Sequence, residues 1–264
     1  MRLGTLMAMV AVVGAVVTVG PARADAGETR MYLKSGWFSL HETLGGSTFV
    51  RDEGWMHGAG VARKGSPGAG LDLEGLLEVW GGNLSYDGHD LRNTVPIRSR
   101  TTYLGTREEV TLGVPVAVAA TLTLEPYLSV GHKFWIRTRS GEDWNSIYVK
   151  GGVEAVWKGK SCSVFAKGGP LLPVYTRNHA DLSDAGYGDV VTYPRSAVGA
   201  FGELGIRHSR LSVSVEYEGF RYARSHNVPM QPNGTPPGVA ATASQAFQPE
   251  TSVDWISLRL TYHF

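Results

Sequence analysis

Apolar side chains recur at every second position along most of the chain. The stretch 210–222 is the clearest: Leu211, Val213, Val215 and Tyr217 alternate with Ser212, Ser214, Glu216 and Glu218. A period of two is that of a β-strand with one apolar and one polar face. The last residues repeat it, with Ile256, Leu258, Leu260, Tyr262 and Phe264 set against Ser257, Arg259, Thr261 and His263. In 125–137, Leu128, Val130, Phe134 and Ile136 oppose Tyr127, Ser129, Lys133 and Arg137. In 145–158, Ile147, Val149, Val153, Ala155 and Trp157 oppose Tyr148, Lys150 and Glu154. Segment 195–207 behaves likewise, with Phe201, Glu203 and Arg207 on its polar side. Segments 70–82, 103–116 and 160–176 are less regular. Segments 29–40 and 54–64 are marked mainly by Trp37, Phe38, Trp55 and Met56. The pattern predicts an all-β chain of about ten strands, with eight or twelve as the neighbouring counts.

The connections alternate in length. Short ones fall at 64–70, 117–121, 158–160 and 208–209. Longer ones fall at 41–53, 81–102, 177–194 and 224–250, with one of intermediate length, polar, at 138–144. Alternation alone fits a soluble barrel with its apolar face inside, or a membrane barrel with that face toward lipid. Segregated loop lengths favour the second, because transmembrane barrels have short turns at one end and long loops at the other. The expected fold is a closed, antiparallel, up-and-down transmembrane β-barrel.

The first residues read as an export signal. Arg2 precedes an apolar run from Leu6 to Val19, and Ala22-Arg23-Ala24 fits the small-residue cleavage rule. At roughly 14 residues the run is short for a spanning helix of about 20. Two parts follow: a signal at 1–24 and a barrel domain at 25–264.

The tail Leu258-Arg259-Leu260-Thr261-Tyr262-His263-Phe264 resembles the terminal strand of Gram-negative outer-membrane β-barrel proteins, which ends on Phe with apolar residues at alternate positions before it. Three further stretches resemble a porin-like group of small outer-membrane barrels: 124–135 (Leu-Glu-Pro-Tyr-Leu-Ser-Val-Gly-His-Lys-Phe-Trp), 173–178 and 215–220. The resemblance implies a cell outer-membrane location and a lipopolysaccharide-containing bilayer around the barrel. It also implies recognition of Leu258, Leu260, Tyr262 and Phe264 by the barrel-assembly machinery. It carries no catalytic set.

Composition narrows the chemistry. Lys plus Arg total 25 and Asp plus Glu 24 in 264 residues, without the basic excess of a nucleic-acid binder. The single cysteine, Cys162, allows neither an internal disulfide nor a zinc cluster. No motif implies a cofactor, and nothing sets an oligomeric state. Divided by strand face, the charges fall on the polar side: Lys34, Asp72, Glu74, Glu78, Arg107, Glu109, Glu125, Lys133, Arg137, Lys150, Glu154, Lys167, Glu203, Glu216, Glu218 and Arg259. Inside a small barrel such charges must be paired. A structural or interaction protein with a charge-plugged lumen and exposed loops is therefore expected. A narrow channel for small solutes is the alternative, although a pore for one ion sign would show one sign of charge. A third reading is an external-rim hydrolase, using Asp87-Gly88-His89-Asp90 or His179, Asp181 and Asp184, or a lipid-modifying Ser–His pair. Ser129 and His132 are three apart and so point to opposite faces. The aromatics Trp37, Trp55, Trp80, Tyr86, Tyr103, Trp144, Trp157, Tyr175, Tyr222, Trp255 and Tyr262 are expected in interfacial girdles.

Overall fold

The computed structural model describes residues 27–89, 95–233 and 245–264. The expected export signal, with Ala22 and Ala24, lies outside the described residues, as does Asp90. Ten long antiparallel strands form the wall: β1 (Glu28–Leu44), β2 (Ser47–Gly68), β3 (Leu71–His89), β4 (Pro96–Gly113), β6 (Leu122–Arg137), β7 (Glu142–Lys158), β8 (Ser163–Ala180), β10 (Arg195–His208), β11 (Leu211–Ala223) and β14 (Glu250–His263). Short strands β5 (Val116–Ala119) and β9 (Val190–Thr192) extend the sheet locally, and β12 (Val228–Pro229) pairs with β13 (Gln245–Ala246) apart from it.

Each long strand pairs with the next one in the chain, and β14 pairs with β1, from Arg30 opposite His263 to Thr43 opposite Glu250. The sheet therefore closes without an edge. Both chain termini of the barrel meet at one end, where the Phe264 N–H donates to the Thr29 carbonyl. That terminal end also holds the turns between β2 and β3, β4 and β6, β7 and β8, and β10 and β11. The opposite, far end holds the other connections. Among the described residues no helix is long and apolar enough to cross a membrane.

The alternation sorts by face as a lipid-embedded wall requires. Leu33, Val198 and Leu258 point outward and are 65%, 68% and 59% exposed, whereas Lys34 and Glu78 point inward at 4% and 1%. Trp37 packs edge-on against Trp55 on the outer face, with ring centroids 6.4 Å apart. Trp157, Tyr262 and Phe264 are exposed on the outer face at the terminal end. These two aromatic levels bracket the apolar band.

Beyond the Trp37–Trp55 level the pattern turns inside out. On β1, Phe38 and Leu40 are buried while Ser39 and His41 face outward. On β14, Val253 and Trp255 are buried beside outward Ser252 and Asp254. The barrel continues past the membrane as a water-surrounded wall with an apolar interior. Strands consequently run further than the loop pattern predicts. The segment 41–53 is a hairpin: β1 reaches Leu44, and β2 starts at Ser47 around Gly45 and Gly46, whose φ values are 59° and 83°. Positive φ at both positions is the two-residue turn that matches strand twist. Likewise β3 extends to His89 and β4 begins at Pro96. Segment 160–176 also departs from strict alternation. Val174 and Tyr175 both face outward, because the register with β7 slips between Ile147 and Tyr148.

Closure depends on close backbone approach at the β1–β14 seam. A Cβ on Gly36 would overlap the Ile256 carbonyl. Gly36→Ala is expected to destabilise the folded barrel by about 1–3 kcal/mol, as overpacking does. The midpoint of heat-induced loss of the compact gel band in detergent measures this; an unchanged midpoint would count against a tight seam.

Candidate functional site

The lumen is the place where the chemistry-bearing residues converge. It is filled in four levels along the barrel axis. At the terminal end is a cavity of about 430 Å³, lined by Arg30, Lys64, Asp72, Glu74, Glu125 and Glu154 among others. Lys64 bonds Glu125 at 2.5 Å and Asp72 at 3.0 Å, and Arg30 pairs with Glu74. Glu154 lies between Glu125 and Lys167 in the cross-strand register.

Above the cavity is a dense ion-pair level. Three cations converge on Glu218: Arg107 at 2.5 Å, Lys133 at 2.5 Å and Lys150 at 3.4 Å. Arg107 also reaches Glu78 at 3.2 Å, Lys34 reaches it at 2.9 Å, and Tyr32 donates its hydroxyl to it at 2.7 Å. Lys150 pairs with Glu109 at 2.9 Å, and Lys167 with Glu203 at 2.8 Å. Arg259 stands 3.5 Å from Glu203 and 3.8 Å from Glu216. At this level the wall forces the pairing: Lys34, Glu78, Arg107, Lys133 and Glu218 are buried, and an unpaired charge there is too costly to retain.

The third level is apolar. Trp135 stacks on Trp144 with centroids 5.2 Å apart, Trp144 meets Tyr222 at 5.4 Å, and Trp80 bridges Trp135 at 6.3 Å and Trp255 at 6.0 Å. Phe38, Leu40, Met56, Leu84, Leu171 and Phe220 complete it. Its lower side rests on the cations: Lys34 sits 3.7 Å from the Trp255 ring centroid and Lys133 4.6 Å from that of Phe220. The fourth level, near the far end, is built on Arg137. It binds Glu42 at 2.7 Å, Glu142 at 2.7 Å and Asp52 at 3.0 Å, and Tyr103 donates to Asp52 at 2.6 Å.

The structure places the lumen residues named from the sequence at three levels. Lys34, Glu78, Arg107, Glu109, Lys133, Lys150, Lys167, Glu203, Glu216, Glu218 and Arg259 form the central level, Asp72, Glu74, Glu125 and Glu154 line the cavity, and Arg137 stands apart at the far end. Sequence reasoning missed Glu42, Asp52 and Glu142, because it placed 41–53 and 138–144 in loops. The girdle expectation fails for Trp80, Tyr86, Tyr103, Trp144, Tyr222 and Trp255, which are all buried inside. They lie at or beyond the level where the apolar face turns inward. Trp37, Trp55, Trp157, Tyr175 and Tyr262 face outward.

The catalytic candidates do not assemble. His89 on β3 stacks on Phe49, and Nδ1 lies 3.4 Å from the Phe49 carbonyl. His179 on β8 is three intervening strands away and lies 2.8 Å from Asp143 and 3.2 Å from Asp189. Asp181 accepts from the Ser183 N–H at 2.9 Å, and Ser183 holds its carboxyl below the usual range. Ser129 faces the lumen beside Thr111. His132 faces outward in a closed chain, Glu108–His132–Asn145, with contacts of 2.8 and 3.0 Å. Leu258, Leu260, Tyr262 and Phe264 lie along the outer face, and the last two rings meet edge-on at 4.8 Å.

No protein-family model matches the chain, and no curated protein matches it in sequence. Solved structures similar to it are outer-membrane β-barrel proteins. The translocator domain of autotransporter NalP from Neisseria meningitidis is 9% identical, with a TM-score of 0.39 over 99% of this chain and 98% of that one. The P. putida toluene transporter TodX is 9% identical, with a TM-score of 0.37 over 94% and 91%. The attachment invasion locus protein Ail of Yersinia pestis is 9% identical, with a TM-score of 0.32 over 90% and 99%. These likenesses are of barrel architecture. The closed edge, the apolar outer band between aromatic levels and the charged interior make this chain a transmembrane β-barrel protein.

Glu218 is the hub of the central level. Glu218→Ala leaves three buried cations sharing too few carboxylates, and is expected to destabilise the folded barrel by about 3–5 kcal/mol. Denaturant titration in detergent, followed by tryptophan fluorescence, measures it. A loss below the error of the titration would show that the convergence on Glu218 contributes nothing.

Proposed function

We propose that this protein is a non-enzymatic outer-membrane barrel that presents its far end to the exterior and passes no solute. The observation that carries the reading is the lumen filling: a paired ion level capped by a stacked aromatic level, with Arg137 and its three carboxylates above. A solute entering the 430 Å³ cavity meets the Arg107–Glu218 pair and then the indoles of Trp80 and Trp255. The cavity itself favours a channel over part of the path, but both signs line it and, among the described residues, the paired ions and stacked rings lie above it. The dispersed His89 and His179 give the hydrolase reading no shared site.

In this reading residues 1–24 are removed on export, leaving both barrel termini in the periplasm. Short turns then face the periplasm, and the long hairpin of β1 and β2, the β8–β10 connection and the β11–β14 connection stand outside. The apolar core above the Trp37–Trp55 level packs the strand walls of that projection together, as a docking or structural surface requires.

An epitope inserted after Gly141, between β6 and β7, is expected to bind antibody on intact cells, whereas one after Gly159, between β7 and β8, binds only after lysis. The reverse pattern would overturn the orientation. Removal of Phe264 is expected to lower recovery in the outer-membrane fraction several-fold, through loss of the terminal-strand signal. Undiminished recovery would count against recognition of that strand by the assembly machinery.

A further inference from the structure

The outward face of β1, β2 and β3 is built in cross-strand rows. Met31, Val61 and Leu77 form one row, and Leu33, Ala59 and Val79 the next. Both rows are apolar, and with Leu260 and Tyr262 of β14 they bound an external groove of about 520 Å³. Ala59 is the small residue that hollows it, set between Leu33 and Val79. The following row, Ser35, His57 and Gly81, breaks the apolar pattern. Above it stand Trp37 and Trp55.

Ser35 and His57 are hydrogen-bonded, Oγ to Nδ1, at 2.9 Å. With the serine hydroxyl donating to Nδ1, the ring proton sits on Nε2. Among the described residues Nε2 has no protein partner, and His57 is exposed on the lipid-facing wall. Gly81 beside it contributes no side chain to cover the ring. A donor turned toward lipid is costly unless something accepts its hydrogen bond. The other outward histidine of the band differs. His132 has both ring nitrogens engaged, by Glu108 and Asn145. The level of His57 is also specific. It lies one row inside the Trp37–Trp55 pair, which marks the interface, and therefore at the depth of lipid ester carbonyls, with the apolar groove running deeper from it.

We propose that the groove and the Ser35–His57 pair together bind one membrane lipid of the outer leaflet. One acyl chain lies in the groove over Ala59, and the ester carbonyl of that chain accepts the Nε2–H of His57. Ser35 is a positioning residue that fixes the imidazole tautomer. The leaflet rests on the orientation given under the proposed function; the site itself does not.

The test uses the full barrel refolded into nanodiscs of dimyristoylphosphatidylcholine and released for native mass spectrometry. Nanodiscs present lipid at both barrel ends, so the outcome is independent of orientation. The unmodified protein is expected to retain one lipid. Ala59→Leu fills the groove and His57→Leu removes the donor. Each is expected to lower the one-lipid species about fivefold, the effect of losing one hydrogen bond or its packing equivalent. Both variants place an apolar side chain toward lipid, so the barrel is expected to fold, which heat-modifiable gel migration verifies. The ether-linked analogue of the same chain length lacks the ester carbonyl and is expected to be retained about as weakly as the ester lipid on His57→Leu. Unchanged retention in either variant, or equal retention of ester and ether lipids by the unmodified protein, overturns the site.

Discussion

One carboxylate in the middle of the barrel receives three cations. Glu218 is held by Arg107, Lys133 and Lys150; Arg107 reaches on to Glu78 and Lys150 to Glu109, while Lys167 and Arg259 meet on Glu203. A small barrel with an apolar exterior leaves its polar face no water to turn to. The buried charges of the central level then pair with one another, several of them from strands far apart in sequence. Arg107 of β4 meets Glu218 of β11, and Lys34 of β1 meets Glu78 of β3. Such pairs are weak evidence for net stability, since desolvation offsets much of the attraction. Their effect here is on geometry: once formed, they fill the cross-section and fix the separation of opposite walls.

The second constraint is where water begins. Below the Trp37–Trp55 level the outside is lipid, so apolar residues face out and charged residues pair inside. Above it the outside is water, and the same strands exchange faces: Trp255 turns in while Asp254 turns out to bind Arg221 at 2.7 Å. The aromatic level sits at this exchange, roofing the ion pairs and receiving their cations on its rings. The long hairpins are thereby continuations of one wall and not loops attached to it. The same boundary explains the outer Ser35–His57 pair, placed at the depth where a lipid itself offers a polar group.

Most of the barrel was legible in the chain, because alternation is a local property. Leu211 to Glu218 names its own faces, and so does Ile256 to Phe264. The charged inward residues followed from the same count. What could not be read locally was the level at which the faces exchange. Trp80 and Trp255 look like girdle residues until the strand is placed against the membrane, and Glu42 and Asp52 look like loop residues until the two glycines at 45 and 46 are seen to close a hairpin. The partners of each charge were equally hidden, since Glu218 and Arg107 are 111 residues apart and meet only through closure. Neither apolar-to-polar order nor spacing tells His57, open to lipid, from His132, enclosed by Glu108 and Asn145.

A lumen closed by paired charge and stacked rings carries no ionic current. Single-channel recording of the purified, refolded protein in planar bilayers tests this most directly. Silence under applied voltage, with insertion confirmed by recovery of folded protein from the membrane, is the predicted result. Stable, reproducible conductance steps would show a continuous water path past Glu218 and Trp135, and would contradict it.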